Sequence, residues 1–134
     1  MFTWYVAGPM SNRPQFNVPS FLEAAEVLRE KGYGVQLPAD LDDPEIVAIL
    51  LLSVDGKHSP ELTGDSWGDC LAKDVKLIAD VVDGVIVIDG WMRSKGARLE
   101  TFVAFLCGKP VVRYPGLRKV RNRDLIKAWL GGLV

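Results

Sequence analysis

Residues 84–90 read Gly-Val-Ile-Val-Ile-Asp-Gly, four consecutive β-branched residues with nothing polar among them to turn toward water. A run of this kind is a strand buried on both faces, the condition of a strand inside a parallel sheet that helices cover on each side. The rest of the chain supplies what such a sheet needs. Residues 3–7 are a β-branched and aromatic run stopped by Gly8-Pro9. Residues 34–37 and 110–113 form shorter strands, entered after Gly32 and Gly108, glycines that suit a helix C-terminus. Between the strands, residues 19–31 place Phe21, Leu22, Ala25 and Leu28 at helical spacing, and residues 66–82 do the same with Leu71, Val75, Ile78 and Val82. Residues 97–107 and 122–130 give two more helices, the last with Asn122 as its expected N-cap. Alternation of this sort predicts an α/β fold, a flavodoxin-like or Rossmann-like parallel sheet flanked by helices.

With 134 residues, 49% of them hydrophobic, residues 1–134 are expected to form one domain around a real core. A net charge of -1, with both signs interspersed, provides no basic field for a phosphate backbone and excludes nucleic-acid polymers as expected partners. The longest apolar run, residues 46–52, is far short of the roughly 20 residues that cross a bilayer. The N-terminus lacks the basic lead-in of a signal peptide, so the expected compartment is the cytoplasm. Cys70 and Cys107 have no CxxC or histidine spacing, which argues against a metal or redox pair and leaves buried free thiols as the expectation.

Residues 43–64 are an excursion too long for plain connection in so small a domain, and such segments serve more often as a substrate lid or a subunit contact. Asp43-Pro44 caps a short apolar helix through Leu52; residues 55–60 are turn-rich and expected to be mobile, and His58 within them reads as structural or solvated.

Ligands of parallel sheets bind beyond the carboxyl ends of the strands, which directs attention to two loops. The first combines Gly8, Pro9, Met10, Asn12 and Arg13: backbone freedom, polar side chains and a cation, or alternatively a surface loop with two prolines. The second, with Trp91, Ser94, Gly96, Ala97 and Arg98, runs into a helix with a hydroxyl, free N–H groups and cations, which is either anion-binding equipment or a solvated basic turn. Glu100 is the only acid of the helix that follows, in surroundings too apolar for free exposure, and the helix dipole is expected to keep it ionised as a nucleophile or base. Asp74, beside Lys73 and Lys76, reads in isolation as a surface charge; Asp40, Asp42 and Asp43 read as helix caps. Trp67 and Trp91 flank the expected cleft.

Taken together, Tyr5-Val6-Ala7-Gly8-Pro9-Met10, a helix with Asp74 before a Val/Ile strand ending at Asp89, and Ser94-Lys95-Gly96-Ala97-Arg98-Leu99-Glu100 resemble the nucleoside 2-deoxyribosyltransferase-like superfamily. The chain is also similar to small phage and bacterial proteins that share the AGPM start and the GWxxSxGARLE segment. The likeness covers roughly residues 3–113, with 43–64 an unmatched insertion. It implies that Glu100 attacks the anomeric carbon of a nucleoside or nucleotide, that Asp74 assists base departure or holds the sugar, and that Tyr5 orients the glutamate. It implies no metal and no cofactor, and a homodimer or larger homo-oligomer, because the superfamily completes its sites across subunits. Transferases of free nucleosides resemble one another in having an aspartate six residues before the nucleophile, where this chain has Ser94. A carboxylate there repels a phosphate by roughly 1–4 kcal/mol, whereas a hydroxyl at a helix N-terminus favours one. The resemblance is therefore to the branch that hydrolyses 2'-deoxynucleoside 5'-monophosphates, with base exchange between nucleosides and a non-catalytic nucleotide-binding module as the alternatives.

Overall fold

Alternate residues of the first strand, β1 (Thr3–Ala7), enter two different cores: Trp4 and Val6 face one side of the sheet, Tyr5 and Ala7 the other. The computed structural model describes residues 1–57 and 64–131. In it β2 (Gly34–Gln36), β3 (Gly84–Val87), β4 (Val111–Arg113) and β5 (Arg118–Lys119) join β1 in one sheet of order β2-β1-β3-β4-β5. β1 is parallel to both β2 and β3, and β3 to β4, so the α/β architecture expected of the sequence is present. The fifth strand pairs antiparallel with β4; two exposed, charged residues gave no hydrophobic signal for it.

The pleat decides what each face carries. On the Trp4 side, Val6, Ile86 and Val112 pack beneath α1 (Val18–Glu30) and α2 (Pro44–Leu51). On the Tyr5 side, Val85, Val87 and Val111 pack beneath α3 (Trp67–Asp80), α4 (Lys95–Leu106) and α5 (Asn122–Leu130). Every residue of β3 is buried, as its unbroken apolar run requires. Burial of a side chain of this size stabilises by about 1.5–3 kcal/mol.

Several local expectations are corrected. The last helix begins at Asn122 but is capped from Arg121, which makes no side-chain cap bond. α4 starts two residues before position 97, because Ser94 supplies its cap: Ser94 Oγ accepts from the Ala97 N–H at 3.2 Å. The two thiols are not both buried. Cys70 is partly exposed, and Cys107 is exposed because it terminates α4 at the surface. Asp43 does cap α2, accepting from the Glu45 N–H at 2.9 Å.

The described part of the excursion is built into the domain. Leu50 enters the core, Gly56 O accepts from the Asn12 N–H at 2.8 Å, and Ser53 O accepts from the Gln15 N–H at 2.8 Å. Gly56 has φ +67°, and a Cβ there would collide with the Arg13 backbone, so the segment lies flat against the loop that follows β1. His58 lies outside the described residues.

Candidate functional site

Tyr5, at the centre of β1, is fully buried, yet its hydroxyl needs a partner. It donates to Glu100 Oε2 at 2.6 Å, a short bond that joins the middle strand to α4. Glu100 lies one turn into α4 on the face that also buries Ala97, Thr101 and Ala104, and it is 5% exposed. On α3, Trp67, Cys70, Leu71 and Asp74 recur at helical spacing and line one cavity of about 450 Å³, with Glu100 also in its wall. Asp74 is 8% exposed, which overturns its reading as a surface charge. Lys73 and Lys76 instead turn outward to Asp65 and Asp80, while Asp74 Oδ1 accepts from the Ala39 N–H at 2.8 Å.

Burial governs the ionisation of this group. It pushes Glu100 well above the usual carboxylate range, the negative charge of Asp74 pushes it further, and the Tyr5 hydrogen bond only partly offsets both. The helix dipole was expected to help keep Glu100 ionised; burial and the charge of Asp74 act against it. Burial also raises Asp74 to about 6, against the lowering effect of the Ala39 N–H, with Asp40 raising it. Tyr5 is raised by burial and by Glu100, so it stays a neutral donor. A phenol has one proton to give, and the short bond to Glu100 takes it. Two carboxyls that both resist ionisation, in one cavity, form a unit able to hold a proton into the neutral range.

The remaining walls come from the two loops singled out in the sequence. Gly8, Pro9, Met10, Asn12 and Arg13 all line the cavity. Four residues between Asn12 and Asn17 adopt positive φ, and the conformation is held by buried Phe16 and by Asn17 Nδ2, which donates to Pro9 O at 2.8 Å. Gly90 has φ +85° and lets the Arg13 guanidinium lie against it, which carries that cation from the first loop to the second. There Arg93, Ser94, Lys95, Gly96 and Ala97 line the cavity at the N-terminus of α4. The arrangement presents a hydroxyl, helix N–H groups and cations together, as an anion requires.

Two expected binding residues do not reach the cavity. Trp91 is buried in the core beneath α3, α4 and α5, leaving Trp67 as the aromatic at the mouth. Arg98 points along the other side of α4, its guanidinium against Gly131.

Sequence reasoning missed Asp40, which lines the cavity from the 3₁₀ turn Ala39–Asp42 after β2 and was read as a cap. Only the fold brings it beside α3, where its Oδ2 accepts from the Cys70 thiol at 3.1 Å. Burial and Asp40 push that thiol up to about 12, so it is no nucleophile. Donor atoms of Asp40, Asp65 and Cys70 lie within 4.8 Å of one another, but the thiol keeps its proton and Asp65 is paired with Lys73 at 2.6 Å.

Among the described residues, no helix is long and apolar enough to cross a membrane. Comparison with curated proteins and with solved structures returns no match. A family model does match: the domain of unknown function DUF4406, over residues 2–113. That span takes in both cavity loops, Tyr5, Asp74 and Glu100, and the chain belongs to the DUF4406 family.

Proposed function

We propose that the protein hydrolyses the N-glycosidic bond of a (2'-deoxy)nucleoside 5'-monophosphate through a covalent glycosyl-Glu100 intermediate. The observation that carries this reading is the buried Tyr5–Glu100 hydrogen bond of 2.6 Å beside Asp74, in a cavity whose neighbouring wall is an anion-binding helix start. In the first step a Glu100 oxygen bonds to C1′ and the C1′–N bond breaks. Its electron pair leaves with the base, which takes a proton from Asp74. In the second step water bonds to C1′, returns a proton to Asp74, and Glu100 departs as carboxylate. The chemistry needs one proton between the two carboxyls, resting on Asp74 while Glu100 attacks, and the burial that raises both favours this singly ionised pair over loss of both protons.

Ser94, with Arg13 and Lys95 near it, favours a phosphate over a bare 5′-hydroxyl, which ranks hydrolysis of monophosphates above base exchange between nucleosides. Incubation with a panel of 2′-deoxynucleoside 5′-monophosphates should release free base and deoxyribose 5-phosphate. Release only when an acceptor base is added would identify a transferase; tight binding with no release would identify a sensor and end the hydrolase reading.

A homodimer belongs to the same proposal. The outer face of α4 exposes Leu99, Phe102, Phe105 and Leu106, and Trp129 of α5 packs edge-on against Phe102 and Phe105 at 5.0 and 5.2 Å. With Ile126 and Leu130 the exposed apolar area is on the order of 500 Å², the upper end of what a monomer leaves open. It is also a large part of the roughly 800 Å² per partner of a stable interface. These six residues carry no charge, as the centre of a self-complementary interface requires.

A further inference from the structure

The cavity has two chemically different ends, and the sheet order says how they are placed. β1 lies between β2 and β3, so the turn after β2, with Asp40, and the turn after β3, with Ser94, stand on opposite sides of the strand that carries Tyr5. Strands are about 4.8 Å apart, which separates the two turns by roughly 10 Å across the floor. At the β3 end are Arg13, Arg93, Lys95 and the start of α4; at the β2 end are Asp40 and Pro38, and Trp67, 48% exposed, lies one helical turn before Cys70, the residue that donates to Asp40. One end is made for an anion. The other suits a flat group that gives hydrogen bonds, since both oxygens of a carboxylate accept them. Asp40 Oδ2 is engaged by the weak Cys70 thiol donor, and Oδ1 has no partner among the described residues.

We infer that the Asp40 end selects a nucleobase bearing an exocyclic amino group over one that presents only oxo groups at its edge. The inference rests on the nucleotide reading above and names the substrate class within it. With the phosphate at Ser94 and the sugar over Glu100, the base edge reaches Asp40 and its face reaches the Trp67 ring. An amino group donates to Oδ1; a carbonyl in its place sets oxygen against carboxylate and leaves that acceptor unpaired. Sites built on such a bond reject the analogue that lacks it, strongly when dry and more weakly when part-solvated as here, by about tenfold to a hundredfold.

Matched pairs differing by one amino-to-oxo exchange test this: the 2′-deoxynucleoside 5′-monophosphates of cytosine and uracil, and of adenine and hypoxanthine. Their Kd values are measured by calorimetry on Glu100→Gln, and kcat/KM on the unaltered protein. The amino member of each pair should be favoured at least tenfold, and Asp40→Asn, whose amide can turn a donor to the base, should remove most of that preference. In the same variant the preference for a monophosphate over its nucleoside should persist. Equal values within the pairs, or a preference untouched by Asp40→Asn, would overturn the inference. Discrimination in binding with no base released would instead end the hydrolase reading and leave this one standing; failure of every nucleotide to bind would end both.

Discussion

Asp74 shows what burial does to a single residue. Its carboxyl binds a proton more tightly in the folded chain than in the unfolded one, where its pKa is 3.8, because desolvation raises it to about 6. A raised carboxyl contributes stability that is fully present below the unfolded value and is lost as pH climbs through the folded one. The protein should therefore lose stability between about pH 4 and 6, with Glu100, shifted in the same direction, extending the loss upward. Asp74→Asn keeps an oxygen for the Ala39 N–H and removes the buried charge. It should raise stability at pH 7.5 by about 1–3 kcal/mol in urea unfolding and leave it unchanged near pH 4. A variant no more stable than the parent at pH 7.5 would mean that Asp74 is solvated. The same substitution removes the proposed acid and should lower kcat by about 10²–10⁴-fold.

At the scale of the element, α4 has two tasks that meet at Ser94. Its Oγ caps the helix through the Ala97 N–H, while the same turn lines the cavity with cations. Ser94→Asp is informative because aspartate caps as well as serine, so the helix survives while a negative charge enters the proposed phosphate site. The ratio of kcat/KM for a monophosphate to that for its nucleoside should fall about tenfold to a thousandfold, corresponding to the 1–4 kcal/mol Coulomb penalty. A constant ratio with both activities intact would place the phosphate elsewhere. Much of this element was legible in the chain: the strand before it, the hydroxyl and glycine at its start, and a lone acid in an apolar helix are all local signals. Its opposite side was not. Arg98 follows Ala97 directly, yet 100° of helical rotation takes it away from the cavity to Gly131, and Trp91 goes into the core.

The whole molecule depends on contacts between residues far apart in sequence, and there local reading ran out. The strand-helix alternation was enough for the sheet and for one core on each face. Asp40 could not be assigned to the cavity from its neighbours, nor could the docking of Ser53 and Gly56 on Asn12 and Gln15, because only the packed fold brings those pairs together. The reading of Asp74 in isolation as a surface charge failed for the same reason, its adjacent lysines being local and its Tyr5 and Ala39 surroundings not. The exposed face of α4 and α5 belongs to this scale as well. Light scattering should give a dimer, and Leu106→Glu, on a side chain 67% exposed, should yield a folded monomer; an unchanged mass in that variant would move the interface elsewhere.

The central claim is that Glu100 carries the sugar, and intact-protein mass spectrometry of a reaction quenched during turnover reads it directly. Mixing the protein with a cleavable 2′-deoxynucleoside 5′-monophosphate and stopping in acid should reveal an added deoxyribose 5-phosphate, with fragmentation placing it on Glu100 and with none formed by Glu100→Gln. Undiminished base release by Glu100→Gln, or an adduct on any other residue, would contradict the account.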